Sequence, residues 1–168
     1  GEKDQYVGPS FPTRELAVTP VLTLLRNRLR IETQFDHKSG MRKLNNTLRH
    51  QCQGGQSCRG LYDQTAPLAM QAAAIAANSN VFTSFYENGE FTRLREASIS
   101  YQLPDRWAQL ARASRLDLTV TGRNLAVWSP YSGVDPEATV SNNDQRGNEE
   151  FFSTPPLRTF TLRFNVGF

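Results

Sequence analysis

The stretch Leu157-Arg-Thr-Phe-Thr-Leu-Arg-Phe-Asn-Val-Gly-Phe168 decides how the rest of the sequence reads. Phe160, Leu162, Phe164, Val166 and Phe168 alternate without a break against Thr159, Thr161, Arg163, Asn165 and Gly167. Successive side chains on a strand point to opposite faces, so this pattern makes one apolar face and one polar face. A tilted strand of about 9–11 residues crosses a bilayer, and this stretch is long enough. It is expected to be the closing strand of a transmembrane β-barrel, with lipid on the phenylalanine side.

Working outward, four more segments have strand character. Residues 14–25 carry Leu16, Val18, Leu22 and Leu24 on one parity, with Pro20 interrupting. Residues 29–37 set Leu29, Ile31, Thr33 and Phe35 against Arg30, Glu32, Gln34 and Asp36. Residues 91–103 end with Ala97, Ile99, Tyr101 and Leu103 opposite Glu96, Ser98, Ser100 and Gln102. Their first part, Thr92-Arg-Leu-Arg95, breaks parity, which predicts a bulge or a stretch beyond the bilayer. Residues 115–127 set Leu116, Leu118 and Val120 against Asp117, Thr119, Thr121 and Arg123.

The connections alternate in length. Those over 26–28 and 104–114 are short, and those over 38–90 and 128–156 are long. Outer-membrane barrels have short periplasmic turns and longer extracellular loops. With a periplasmic C-terminus, 38–90 and 128–156 become extracellular and residue 1 starts outside. Five strands are too few to close a barrel, so the sequence is expected to be the C-terminal part of a larger one. Within the first long loop, residues 65–77 predict a short helix from their alanine content, with Pro67 in its first turn and Thr65 near the cap. An independent small porin-like barrel would need 65–77 as a strand, which the alanines disfavour.

Composition restricts the function classes. Nineteen basic against 16 acidic residues leave a net charge of +3, too small for a nucleic-acid surface, and no basic block carries interleaved aromatics. A mean hydropathy of −0.53 is compatible with a barrel, because half of each strand and the loops are polar. No run of 18 apolar residues exists to form a membrane helix. Gly1-Glu-Lys-Asp-Gln has no signal-peptide character. Cys52 and Cys58 lie among Gly, Gln and Ser, which predicts a surface loop. A disulfide made in an oxidising compartment, a metal site with His50, and a pair of unlinked thiols are the readings open for them.

Several segments together resemble the C-terminal region of the SusC/RagA-type TonB-dependent transporters of bacterial outer membranes. They are Phe91-Thr-Arg-Leu-Arg-Glu-Ala-Ser-Ile-Ser-Tyr-Gln-Leu-Pro104, Val120-Thr-Gly-Arg-Asn-Leu125, Tyr131-Ser-Gly-Val-Asp-Pro-Glu137 and Pro156-Leu-Arg-Thr-Phe-Thr-Leu-Arg-Phe-Asn-Val-Gly-Phe168. Phe35-Asp-His-Lys-Ser-Gly40 and Asn45-Asn-Thr47 fit more loosely. The resemblance implies a barrel of ~22 strands with an N-terminal plug, importing glycans, oligosaccharides or peptides. It also implies a SusD-type surface lipoprotein as partner and TonB as energy source, reached through an N-terminal part these residues do not contain. The strand bearing Phe164, Val166 and Phe168 would be recognised by the barrel-assembly machinery.

The remaining residues divide between chemistry and architecture. Tyr131, Gly133, Asp135, Pro136 and Glu137 form the most loop-like motif, and Gly133 and Pro136 are expected to fix turns. Asp135, Glu137 and Asp144 could offer oxygens to calcium but lack the spacing of a calcium loop, so a rigid turn is the stronger expectation and no metal is assigned. Arg30, Glu32, Asp36, Asp117, Arg123 and Arg163 fall on the lumen parity, as an internal ladder or as contacts to substrate or plug. Trp107, Trp128 and Tyr101 suit membrane interfaces, and Trp128 and Tyr131 could instead stack on sugars. No catalytic motif is present, and no cofactor is expected. A rival from another class is a soluble secreted β-sandwich that binds carbohydrate, with the phenylalanine face buried.

Overall fold

The computed structural model describes residues 5–55, 57–110, 112–139 and 148–168. The chain divides into two compact units. The first comprises the described residues up to Arg14 with Lys38–Phe91 and Ser129–Pro155, and the second Glu15–His37, Thr92–Trp128 and Pro156–Phe168.

The second unit is built on a six-stranded sheet. Its strands are β1 (Arg14–Val18), β2 (Val21–Leu24), β3 (Leu29–Ser39), β6 (Phe91–Gln102), β7 (Arg115–Trp128) and β9 (Thr159–Gly167), ordered β1-β3-β6-β7-β9 with β2 also on β3. The first expected strand is two, because Pro20 has no N–H for the ladder. β2 and β3, β6 and β7, and β7 and β9 pair antiparallel. The short connections join sheet neighbours. One is a tight turn in which Arg28 N donates to Leu25 O. The other carries helix α4 (Asp105–Leu110), whose Ala108 packs with Ala113 and Leu116. The expected irregularity is present, but the extra residue lies on the partner. Leu94 to Glu96 on β6 spans the same ladder as Ala126 to Arg123 on β7. Asn124 sits there with φ 53°, a left-handed backbone that asparagine tolerates better than most residues.

The first unit contains most of what the two long connections supply. It has its own small sheet, β4 (Arg42–Asn45) between β5 (Tyr86–Asn88) and β8 (Glu149–Glu150), antiparallel to the former and parallel to the latter. It also holds α1 (Asn46–Gln53), α2 (Arg59–Tyr62), α3 (Leu68–Asn78) and a 3₁₀ turn at Thr83–Phe85. Asn45 caps α1 by accepting from Leu48 N at 2.9 Å. The expected helix over 65–77 begins instead after Pro67, and Thr65 donates its hydroxyl to Asp63 rather than capping α3. As a helix, this segment cannot serve as the extra strand of an independent barrel. Leu44, Cys52, Cys58, Ala74, Ala77 and Phe85 form the core of the unit. The alanines here do more than favour helix. A Cβ on Gly60 would stand 2.5 Å from Met70 O and 2.9 Å from Ala74 Cβ, so α2 and α3 touch at backbone distance. One expected loop helix has thus become several helices around a core, which local propensity alone did not indicate.

Candidate functional site

The sheet of the second unit has two chemically distinct faces. Register places Gly122, Val120, Leu118 and Leu116 opposite Phe160, Leu162, Phe164 and Val166. Ala97, Ile99 and Tyr101 continue the same rows on β6, and Leu22 with Ile31 and Leu24 with Leu29 pair on β2 and β3. Phe160 is 72% exposed and Leu162 70%, so nothing among the described residues covers this face. A sandwich would bury it.

The polar parity is cross-linked by charge. Arg30 meets Glu32 at 2.8 Å, Arg95 meets Asp36 at 2.6 Å, Arg115 meets Asp117 at 2.7 Å and Arg123 meets Glu96 at 2.7 Å. Arg123 and Asp117 share a parity but do not meet, and each has a nearer partner. Between these pairs Ser100 and Thr119 hydroxyls lie 3.0 Å apart. Arg163 stands opposite Thr119 and reaches no carboxylate among the described residues. Phe164 and Val166 lie on the apolar face of β9, and Phe168 follows it, 92% exposed. Trp107 in α4 and Trp128 at the end of β7 are about half exposed.

The first unit holds a different constellation around Lys43. This residue is fully buried, as is Glu150. Lys43 Nζ donates to Ala138 O at 2.6 Å, to Asn148 Oδ1 at 3.0 Å and to Thr139 Oγ1 at 3.4 Å. Burial lowers its pKa to about 8, while Glu150, Asp135 and Glu137 pull in the opposite direction. Tyr131 is buried, donates its hydroxyl to Glu150 at 3.4 Å, and stands with its ring 5.9 Å from Lys43 Nζ. Burial and the carboxylates of Glu150 and Glu87 raise the phenol pKa well above its ordinary value. Tyr131 is therefore a structural contact and not an open stacking surface for sugar.

The motif 131–137 owes its residue types to this packing. A Cβ on Gly133 would lie 2.4 Å from Tyr131 Cε1, so the glycine admits the tyrosine ring, with no left-handed turn involved. Asp135 is buried and accepts from Glu137 N at 2.8 Å. Glu87 accepts from Ser132 N and Oγ at 2.8 and 2.7 Å and from Asn45 Nδ2 at 3.1 Å. Lys43, Glu87 and Glu150 escaped the sequence reading, because a buried lysine in Arg-Lys-Leu-Asn looks like a solvated one. Among the described residues no cluster of three His, Cys, Asp or Glu could hold a metal, and Asp144 lies outside them. Cys52 and Cys58 are joined in a disulfide, and both are buried. They do not sit on a surface loop: Cys52 is inside α1, and Cys58 precedes α2. Next to them a cavity of about 580 Å³ is walled by Leu48, Met70, Ala73, Phe85 and Glu87.

No protein-family model matches the chain. Two curated proteins of Formosa agariphila do. TonB-dependent receptor P3 is 33% identical over 93 residues, 52% of this chain, and TonB-dependent receptor P26 is 28% identical over 92 residues, 51% of it. In sequence, about half of the chain is similar to TonB-dependent receptors. The fold likeness is to the RagAB peptide importer. In its open-open state the TM-score is 0.62 at 20% identity, over 84% of this chain and 16% of that one. In the closed-closed state the TM-score is 0.61 at 21% identity, over 82% and 15%. The chain spans 9% of the length of each curated relative.

Proposed function

We propose that this chain forms the last strands and part of the mouth of the barrel of a SusC-type, TonB-dependent nutrient importer in the bacterial outer membrane. The observation that carries the reading is the two-faced sheet. Its apolar face is exposed although it bears Phe160, Leu162 and Phe164, and its opposite face is polar and closed by ion pairs. Water would penalise the first face and lipid would solvate it. The polar face, with Arg30, Glu32, Asp36, Asp117, Arg123 and Arg163, then lines the lumen. The connections 38–90 and 128–156 are then extracellular loops, which contribute to contacts with a SusD-type lipoprotein and to the reception of glycan, oligosaccharide or peptide. TonB acts through a part of the receptor outside these residues, and the assembly machinery reads Phe164, Val166 and Phe168. No catalytic step enters this role.

The test is a labelling scan of β9 in the full-length receptor in bilayers. Nitroxides attached at Phe160→Cys, Leu162→Cys and Phe164→Cys are expected to favour oxygen, and those at Thr161→Cys and Asn165→Cys a water-soluble relaxant. Uniform water access along the strand would overturn the proposal.

A further inference from the structure

The two short connections lie at one end of the second unit's sheet. Gln102 N, at the end of β6, donates to Arg28 O in the β2–β3 turn at 2.8 Å. Arg28 also reaches Asp105 of α4 at 3.5 Å. Ser114 N, just before β7, donates to Gly167 O at 2.7 Å. The turn 25–28, α4 and the residues leading into β7 therefore share one rim.

That rim is basic. Arg26, Arg28, Arg106, Arg112 and Arg115 lie on it, and all are exposed. Its acids are already engaged: Asp105 by Arg28, and Asp117 by Arg115 at 2.7 Å. Glu32, further along β3, is held by Arg30 at 2.8 Å. Among the described residues no carboxylate lies within ion-pair distance of Arg26, Arg106 or Arg112. The turn also holds Leu25 and Arg26 in left-handed backbone, with φ 53° and 56°. That conformation is costly for residues with a side chain, and a turn needed only as a connection has glycine or asparagine for it.

Exposed apolar side chains stand on the same rim. Leu25 is 63% exposed, Trp107 53% and Leu110 87%. α4 buries Ala108 against Ala113 and Leu116, and leaves Arg106, Trp107 and Leu110 outside. Unpaired cations beside a tryptophan and leucines suit neither bulk water nor hydrocarbon. They suit the headgroup layer between the two, where amphipathic rings settle and anionic lipid attracts arginine. A site for a soluble anion has no use for the apolar members.

We propose that this rim, through Arg26, Arg106 and Arg112 with Trp107 and Leu110, binds the headgroups of anionic phospholipids. The inference rests on the barrel-wall reading above, which sets the short connections at the periplasmic leaflet. The arginines take the phosphate, and the tryptophan and leucines enter the boundary with the acyl chains.

The test places the full-length receptor in bilayers of equimolar phosphatidylglycerol and phosphatidylethanolamine. Native mass spectrometry after gentle extraction then counts the lipids that stay bound. The wild type is expected to retain phosphatidylglycerol in preference. The combined change Arg26→Gln, Arg106→Gln and Arg112→Gln should reduce that preference by about fivefold for each arginine removed. The same three positions changed to lysine should keep most of it, because the charge remains. A wild type without preference overturns the proposal, and needs no variant to fold. So do an unchanged preference in the glutamine variant and an equal loss in both variants. Displacement of phosphatidylglycerol by inorganic phosphate as readily as by phosphatidylglycerol vesicles also overturns it, since the site would then be one for a soluble anion. The nitroxide scan keeps the two readings apart. Lipid periodicity on β9 without a lipid preference at the rim sinks this inference alone, and absence of the periodicity sinks the wall itself.

Discussion

At the scale of single residues, Lys43 and Gly133 control the first unit. The pKa of Lys43 is about 8 in the folded protein against 10.5 for a free lysine side chain. Between those values the unfolded chain holds more protons, so the contribution of this group to stability rises with pH across that window and is least favourable below it. Hydrogen-exchange protection of β4 amides, corrected for intrinsic rates, should rise by about tenfold from pH ~8 to ~9.5. Lys43→Met should abolish that slope. Tyr131 opposes it near the upper end of the window, because burial raises its phenol pKa in the folded protein and the unfolded chain then loses that proton first. Gly133 has no space for a methyl group beside the tyrosine ring. Gly133→Ala should therefore destabilise the unit by about 1–3 kcal/mol, read as a lower denaturation midpoint. The glycine and proline of the 131–137 motif were visible as turn residues. The buried tyrosine that makes the glycine necessary was not, because nothing in a linear sequence says which ring will pack on which backbone.

At the scale of elements, β9 and the α1–α2 segment make opposite demands. Leu162 and Thr161 are adjacent on β9 and lie on opposite faces of its sheet. Leu162→Arg should cost about 2–4 kcal/mol of barrel stability, and Thr161→Arg close to nothing. The fraction of receptor that runs as a folded, heat-modifiable band after gentle solubilisation should fall only for the first. Equal losses would contradict the orientation. Cys52 and Cys58 tie α1 to α2 inside the core that includes Leu44 and Phe85. Closing a loop this short is worth roughly 2–3 kcal/mol in the chain-entropy account. Reduction should thus expose the segment from α1 to α3 to proteolysis while the strands of the second unit stay protected. Strand parity made the five β segments legible, since period-two alternation is a local property. The small sheet β5-β4-β8 was not legible, because its strands are two to four residues long and exist only through partners far away in sequence.

At the scale of the whole molecule, the chain is expected to remain in the membrane fraction of cells through an alkaline carbonate wash when carried in its full-length receptor. Recovery in the soluble fraction would contradict the wall. The sequence by itself determined the two-faced strands, their order and the alternation of short and long connections. These follow from side-chain period and local turn chemistry, which need no knowledge of distant contacts. It also supplied the motifs by which the chain resembles TonB-dependent receptors. Only the tertiary structure decided that the long connections fold into a unit with its own core, that Lys43 and Glu150 are buried together, and that Arg95 meets Asp36 and Arg123 meets Glu96 across neighbouring strands. Burial and charge pairing depend on which distant residues share a site, and the order of residues along the chain does not specify that locally.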